Sequence, residues 1–311
     1  MFSRTDRRGF SCLKFLFTFL LVLISIGAAS FGTTARAAVG RTPGTFVVSP
    51  TGAATYTIPI WSPPGPRGVQ PKIALSYNSG SGNGYVGVGW SLSGLSSIYR
   101  CNQTYAQDGV PGAVALTDSD VFCMDGQRLR LTAGTYGTAG STYQTEVANF
   151  SLVTAYGSAG NGPAYFSVQG SDGITYEYGY TDGNGNGANS QVLASGTPTA
   201  DAWLLSKVVD PAGNNFVINY TTLTGLAVPN KILWTPTSAG ASTYTYEMDF
   251  HYVTNAPQSS VYGYIAGTPF DNTELLSSVV ISASGAVVKD YFLDYQISPT
   301  TSRERLQTVT E

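Results

Sequence analysis

The sequence has 311 residues, of which 42% are hydrophobic and 11% charged, with 36 Gly, 16 Pro and 20 Tyr. The length allows one large domain or two medium ones, the apolar share excludes a disordered chain, and the low charge disfavours surface helices patterned with Lys and Glu. No run of like charges suits nucleic acid, so the composition predicts an all-β protein with short strands and tight turns.

The first 37 residues have the three parts of a secretory signal peptide. Basic residues precede an apolar run from Phe15 to Ile26, and a small-residue site follows at Ala35-Arg36-Ala37. We predict cleavage after Ala37, with Ala38 as the next choice, and therefore a secreted, extracellular protein, with the periplasm or the cell surface as alternatives. The alternative is an uncleaved membrane anchor, because the apolar run can be extended to Gly32.

The Arg7-Arg8-Gly9-Phe10 stretch resembles a twin-arginine signal, but Asp6 and Ser11 weaken the match and favour the general secretory route. Removal of residues 1–37 leaves a module of residues 38–311 with 11 basic and 18 acidic side chains, a net charge of −7. A mildly acidic protein repels phosphate groups and anionic lipids, which disfavours binding to either. We therefore expect neither nucleic acid nor, after cleavage, a membrane as partner.

Three cysteines are present, and Cys12 falls in the signal peptide. Cys101 and Cys123 then form an even pair in an oxidising compartment, which predicts a disulfide. A bridge over this 22-residue separation would stabilise the fold by about 3 kcal/mol. Two free buried thiols are the alternative.

Alternation of apolar and polar residues recurs along the mature chain and predicts antiparallel strands with one buried face. After the signal peptide no stretch has convincing helical periodicity. The alternating runs cover residues 55–60, 72–77, 174–180, 216–220 and 244–252.

Glycine-containing corners separate these runs and predict hairpin turns, because Gly supplies the positive φ that such turns need. Residues 134–142 and 183–190 are expected to be exposed loops. The predicted turns are Asp125-Gly126, Asp172-Gly173, Asp182-Gly183, Asp210–Asn214 and Ser284-Gly285.

Candidate catalytic residues are sparse. His251 is the single histidine, and it lies on the polar face of a strand beside Glu247 and Asp249, with no cysteine or second histidine nearby in sequence. A surface histidine is therefore the simpler interpretation. The carboxylate pairs Asp118/Asp120 and Glu247/Asp249 would suit a glycosidase only within a sugar-binding cleft, which no motif indicates. We predict no catalytic residue.

Two loops imitate ligand-binding motifs. The glycines of Gly82–Gly87 fit a dinucleotide fingerprint, but a Gly-broken strand pattern follows where the phosphate-binding helix should begin, so we predict no cofactor. Asp182, Asn184 and Asn186 have the spacing of the first calcium ligands of an EF-hand loop. Position twelve is Leu193 instead of Glu, which leaves a weak calcium candidate.

Several segments resemble the N-terminal region of the SpvB (virulence plasmid B protein) family, which the B components of insecticidal Tc toxins and related Rhs/YD-repeat proteins share. The match extends over nearly the whole mature chain. The resembling segments are TYTIPIWSPPGPRGVQPKIALSYNS (55–79), GNGYVGVGWSLSG (82–94), IYR (98–100), DVFCMDGQRLRL (120–131), WLLSKVVDPAGN (203–214) and SRERLQTV (302–309).

The resemblance implies a structural role. In that family the region helps to build a β-sheet shell, which YD repeats complete and which encloses or carries a C-terminal toxin. The ADP-ribosyltransferase at the far end of the virulence plasmid protein uses a Glu-x-Glu pair, which is absent from this sequence. Partners would be other segments of toxin-complex or Rhs-type proteins. We expect the 38–311 module to be either the first part of a longer architecture or a truncated copy.

The sequence therefore favours a secreted, non-catalytic scaffold module of a toxin or virulence protein. An extracellular β-sandwich that binds carbohydrate or adheres to surfaces is the alternative. An enzyme is a third reading, which would depend on His251 and the carboxylate pairs.

Overall fold

The computed structural model describes residues 42–238 and 240–311. The predicted signal peptide, residues 1–37, lies outside the described residues. The described chain is 52% strand and 4% helix, which confirms the all-β prediction. Within these residues, no helix has both the length and the hydropathy that a membrane span requires.

The strands follow one another with short connections, and a single α-helix in the described part, α1 (Tyr105–Asp108), lies between the fifth and sixth strands. The strands are β1 (Thr45–Val48), β2 (Ala54–Pro59), β3 (Ala74–Asn78), β4 (Trp90–Ser93), β5 (Ser97–Cys101), β6 (Val121–Met124), β7 (Gln127–Ala133), β8 (Thr142–Thr145), β9 (Leu152–Tyr156), β10 (Tyr165–Gln169), β11 (Thr175–Tyr178), β12 (Gln191–Leu193), β13 (Ala200–Val209), β14 (Asn215–Leu223), β15 (Leu226–Pro236), β16 (Tyr244–Thr254), β17 (Val261–Ile265), β18 (Thr268–Asn272), β19 (Glu274–Ala283), β20 (Ala286–Ile297) and β21 (Glu304–Thr310).

The five alternating runs predicted from the sequence correspond to β2, β3, β11, β14 and β16. In β16 the alternation is visible in the burial, because Met248 and Phe250 are buried while Glu247 and Asp249 are half-buried and His251 is exposed. One face of the strand contacts the core and the other faces solvent, as antiparallel sheets allow.

Tight turns of the predicted kind close two hairpins. Asp125 and Gly126 between β6 and β7, and Ser284 and Gly285 between β19 and β20, all have positive φ, which matches the right-handed twist of the strands they join. The expectation of an exposed loop at 183–190 was partly wrong. Its second half lies over β14, where the backbone N–H of Gly187 donates to the side chain of Asn219 at 2.8 Å.

Eight strands form a closed ring in the order β5-β6-β7-β8-β9-β10-β11-β13, and every pairing is antiparallel. Its interior is filled with aromatic side chains, and the ring of Trp203 lies 4.9 Å from that of Phe166 and 5.3 Å from that of Phe122, both edge-on. Edge-to-face contacts of this kind stabilise beyond the area they bury.

The ring continues into an open sheet. Strand β13 pairs with β5 and β11 of the ring and also with β14, from which β15, β16, β19, β20 and β21 follow in order. The separate four-stranded sheet β1–β4 covers one face of this open sheet. Hydrogen bonds between the layers include those from Trp234 Nε1 to the carbonyl of Pro63 (3.0 Å) and from the backbone N–H of Trp61 to the hydroxyl of Tyr291 (3.1 Å), both in the segment after β2. The described residues therefore form a ring joined to a two-layer sandwich.

Candidate functional site

The carboxylates of the first candidate pair do not act together. Asp118 is exposed, whereas Asp120 is buried and accepts a hydrogen bond at 3.0 Å from the fully buried guanidinium of Arg100. Arg100 also donates to the carbonyls of Ala200 (2.7 Å) and Thr117 (2.8 Å). These bonds satisfy the buried charges of the pair, which is the arrangement of a structural ion pair.

Asp201 lies beside this ion pair, at a bulge of β13 where the register with β12 shifts. Burial raises the pKa of Asp201 to about 6, the positive charge of Arg100 lowers it, and the negative charge of Asp120 raises it. The residue lines a cavity of about 620 Å³ together with Cys101 and Tyr264. A carboxyl group that titrates near pH 6 in a cavity is a recognised mark of functional sites, although structural charge networks produce it as well.

The second candidate pair is bridged by a lysine. Lys231 on β15 lies across from Asp249 on β16, with Nζ 3.1 Å from Oδ1, and it also forms an ion pair with Glu247. Burial raises the pKa of Asp249, and the neighbouring Glu247 raises it further. A glycosidase needs room for the sugar between its carboxyl groups, and here an ammonium group occupies that place.

His251 shares the solvent face of β16 with this pair. Its side chain is exposed, and its carbonyl accepts a hydrogen bond from the hydroxyl of Ser277 at 3.0 Å. Directly across the sheet lies Ser278 of β19. This placement is that of a surface histidine on a strand.

The calcium candidate loop uses its carboxylate internally. Asp182 Oδ1 accepts hydrogen bonds from the backbone N–H groups of Asn184 (2.8 Å) and Asn186 (3.2 Å), and Oδ2 accepts one from Asn186 Nδ2 (2.8 Å). The Asp210–Asn214 turn repeats the same three types of bond. Self-capping of this kind is what Asp and Asn provide in turns. Within the described residues, no group of three or more His, Cys, Asp or Glu side chains is arranged to hold a metal.

Cys101 and Cys123 are joined by a disulfide in the structure, with Cα atoms 5.9 Å apart. They are diagonal neighbours on the paired strands β5 and β6, since Cys101 lies opposite Val121 and Cys123 opposite Tyr99. The bridge therefore fastens the wall of the ring next to Arg100.

A cavity of about 710 Å³ lies where one end of the ring meets the proline-rich segment between β2 and β3. Its lining includes the apolar side chains of Val168, Leu205 and Phe216. Arg67 borders it with a side chain that is 69% exposed, at 3.6 Å from Asp210. The volume is in the range of small-molecule sites.

A row of four aromatic side chains crosses the small sheet, one from each strand, in direct register: Phe46, Tyr56, Tyr77 and Trp90. Together with Leu306 of β21 they line a groove of about 560 Å³. Phe46 is 63% exposed. Within the described residues β21 pairs with β20 alone. Its first residue, Glu304, is hydrogen-bonded to Ser259 and Val88, and beyond it the outward N–H and C=O groups of the edge beside the groove are open to a further strand.

The closed ring, the sandwich and the open edge define an all-β module. A family model described as Salmonella virulence plasmid 65kDa B protein, SpvB, matches residues 48–281. The chain belongs to the SpvB family, as the segments resembling it predicted.

Curated relatives include the Mono(ADP-ribosyl)transferase SpvB of Salmonella typhimurium (strain 14028s / SGSC 2262), which is 29% identical over 243 residues. The protein of the same name from Salmonella choleraesuis (strain SC-B67) is 28% identical over 243 residues. In both cases the alignment covers 71% of this chain and 38% of the relative. The chain thus spans little more than a third of the length of the curated relatives it matches.

Solved structures share the fold. The N-terminal domain of effector protein SpvB from Salmonella typhimurium strain LT2 aligns with a TM-score of 0.62 and 20% identity, over 78% of this chain and 94% of that domain. TcdB2-TccC3 aligns with a TM-score of 0.66 and 17% identity, over 86% of this chain and 16% of that one. A Tc holotoxin pore from Photorhabdus luminescens gives a TM-score of 0.63 and 17% identity, over 86% of this chain and 15% of that one.

Sequence reasoning missed the features that the fold brings together. The aromatic row takes one residue from each of four strands, so no spacing within a single strand reveals it. Asp201 carries no sequence signal, because its raised pKa depends on burial beside Arg100 and Asp120.

Proposed function

We propose that the chain is a secreted, non-catalytic scaffold module of a toxin or virulence protein, which contributes to a β-shell that carries or encloses a C-terminal effector. The observation that carries this proposal is the free edge of β21 beside the aromatic groove. An open sheet that presents unpaired backbone groups and an apolar row is suited to continue into further strands. The shared fold with SpvB and Tc toxin structures supports the same role.

The proposed partners are other segments of toxin-complex or Rhs-type proteins, which would add strands at β21. It assigns no catalysis to this module: Arg100, Asp120, Lys231, Glu247 and Asp249 are committed to ion pairs. An ADP-ribosylation assay with the mature chain is expected to give no transfer, and transfer would contradict the proposal.

The edge is tested by the solution state of the mature chain, residues 38–311, measured by light scattering after gel filtration. We expect self-association, because among the described residues nothing covers the groove or pairs with the edge beyond Glu304. We expect Leu306→Lys to reduce it by adding a charge at the groove. Val287→Lys is the matched control, since Val287 is 62% exposed on β20 and does not line the groove. A stable monodisperse wild type, or equal effects of the two variants, would count against the proposal.

Carbohydrate binding is the second candidate, and a tyrosine cluster on the ring favours it. Tyr156 and Tyr165 lie in register on β9 and β10 with rings stacked at 4.9 Å, and Tyr180 contacts Tyr165 at 5.0 Å. Tyr156 is 40% exposed. Aromatic faces of this kind suit sugars. A glycan array separates the two functions, because a scaffold is expected to bind none of its glycans, whereas binding that Tyr156→Ala abolishes would favour the second.

A further inference from the structure

Three segments of the chain meet around the buried Ser259. Its hydroxyl accepts a hydrogen bond from the backbone N–H of Glu304 at 2.9 Å, and its carbonyl accepts one from Asn83 Nδ2. The backbone N–H of Val88 donates to the carbonyl of Glu304 at 3.0 Å. The loop before β4, the 3-10 turn Pro257–Ser259 before β17 and the start of β21 are thereby joined at one point.

Glu304 brings a carboxylate into this junction. The residue is 7% exposed, and its Oε1 accepts a hydrogen bond from the backbone N–H of Ala256 at 2.6 Å. Oε2 is buried and has no hydrogen-bond donor among the described residues. No lysine or arginine of residues 42–238 and 240–311 forms an ion pair with it, and the neighbouring Arg305 donates to Gln296 instead.

A buried carboxylate is stable when a positive charge or further donors compensate for its loss of water. Asn83 adds a second oxygen of the same kind, because its Oδ1 is also buried and without a donor in the described part of the chain. The Asn83 side chain is bound to Ser259 and the Glu304 carboxylate to Ala256, at the two ends of one 3-10 turn. Acceptor oxygens without a donor suit a cation as the group that compensates them.

We propose that Glu304 Oε2 and Asn83 Oδ1 are ligands of one divalent cation, and that the cation is calcium. Carboxylate and amide oxygens are hard ligands, which calcium takes in irregular sets of six to eight, completed by backbone carbonyls and water. With one carboxylate the affinity is expected in the range of extracellular calcium modules, a Kd of about 10⁻⁴–10⁻³ M. The inference is independent of the proposed scaffold role.

The Asp182 loop and the Glu304 junction are the two calcium candidates of this chain, and we expect calcium binding at the second but not at the first. The carboxylate oxygens of Asp182 accept three N–H donors from their own loop, whereas Glu304 Oε2 accepts none. Asp182→Asn is therefore the matched control for Glu304→Gln. Both changes remove one carboxylate charge and keep the size of the side chain.

The experiment is calorimetric titration of the full chain with calcium chloride, together with thermal unfolding in calcium and in sodium chloride of equal ionic strength. We expect calcium to raise the Tm of the wild type and of Asp182→Asn, since a ligand that binds the native state stabilises it. We expect Glu304→Gln to bind at least about tenfold more weakly, and Asn83→Asp to bind more tightly because it adds a charged ligand.

Absence of binding at about tenfold the upper expected Kd would overturn the proposal. Binding that Asp182→Asn removes and Glu304→Gln retains would overturn it too, and would assign calcium to the other loop. If Glu304→Gln does not fold, Asn83→Ala and Asn83→Asp decide the question, with weaker and tighter binding expected respectively. Equal affinities of these two variants would refute the site.

Discussion

Replacement of Asp201 by Asn is expected to stabilise the protein at neutral pH. The pKa of Asp201 is about 6 in the folded chain, because burial penalises its charged form, against about 3.9 in an unfolded chain. The native state therefore binds more protons than the unfolded state between these values, so stability falls as pH rises from about 4 to 6. Above pH 6 the ionised Asp201 costs up to about 3 kcal/mol, since each pKa unit corresponds to about 1.4 kcal/mol.

Asp201→Asn removes this cost, so the variant should exceed the wild type at pH 7.5 by up to about 3 kcal/mol and lose the advantage near pH 4. At about 2–4 °C per kcal/mol, the Tm would rise by several degrees. Urea unfolding at four pH values between 4 and 7.5 measures the difference. Asp118→Asn is the control, because Asp118 is exposed and surface changes are usually within about 0.5 kcal/mol.

A loss of stability in Asp201→Asn that is equal at every pH would refute this reasoning. It would mean that the carboxylate is needed for its shape or hydrogen bonds and that its charge is not penalised. A wild-type profile that is flat between pH 4 and 7.5 would likewise contradict the raised pKa.

Three further outcomes are expected. Serine at both Cys101 and Cys123 should cost about 3 kcal/mol in urea unfolding, and peptide mass spectrometry without reduction should find them linked; two free thiols would contradict the bridge. Trp203→Ala should cost about 3–5 kcal/mol, because it leaves a cavity at the centre of the ring; a cost under about 1 kcal/mol would show that the ring repacks. Lys231→Met should cost at most about 1 kcal/mol of unfolding free energy at pH 7, since the lysine is partly exposed. The cost should be smaller at pH 4, because burial raises the pKa of Asp249 and its protonation relieves the repulsion from Glu247. A larger cost at pH 4 than at pH 7 would contradict this.

The sequence was sufficient for the local structure. Alternation placed β16, and the glycines at 126 and 285 placed two hairpin turns, because both signals depend on neighbouring residues alone. The reading of residues 183–190 as fully exposed failed, since Gly187 is buried against Asn219 of another strand. A polar composition does not reveal which surface a loop covers.

The candidate sites required the fold. The lysine between Glu247 and Asp249 comes from the neighbouring strand β15, and the register of that pairing, which the residue pattern alone does not give, sets the contact. The same holds for Glu304 and Asn83, which meet at Ser259 across more than half of the chain. The resemblance to the SpvB family supplied the expected class of architecture, but no residue roles.

Strand β13 has a mechanical consequence for the whole module. It is hydrogen-bonded to β5 and β11 of the ring and to β14 of the open sheet, so neither body can come apart without loosening the other. Tension applied along the outer sheet would be transmitted directly into the closed ring. A single cooperative breakage, instead of stepwise peeling, is the expected response to pulling on the chain.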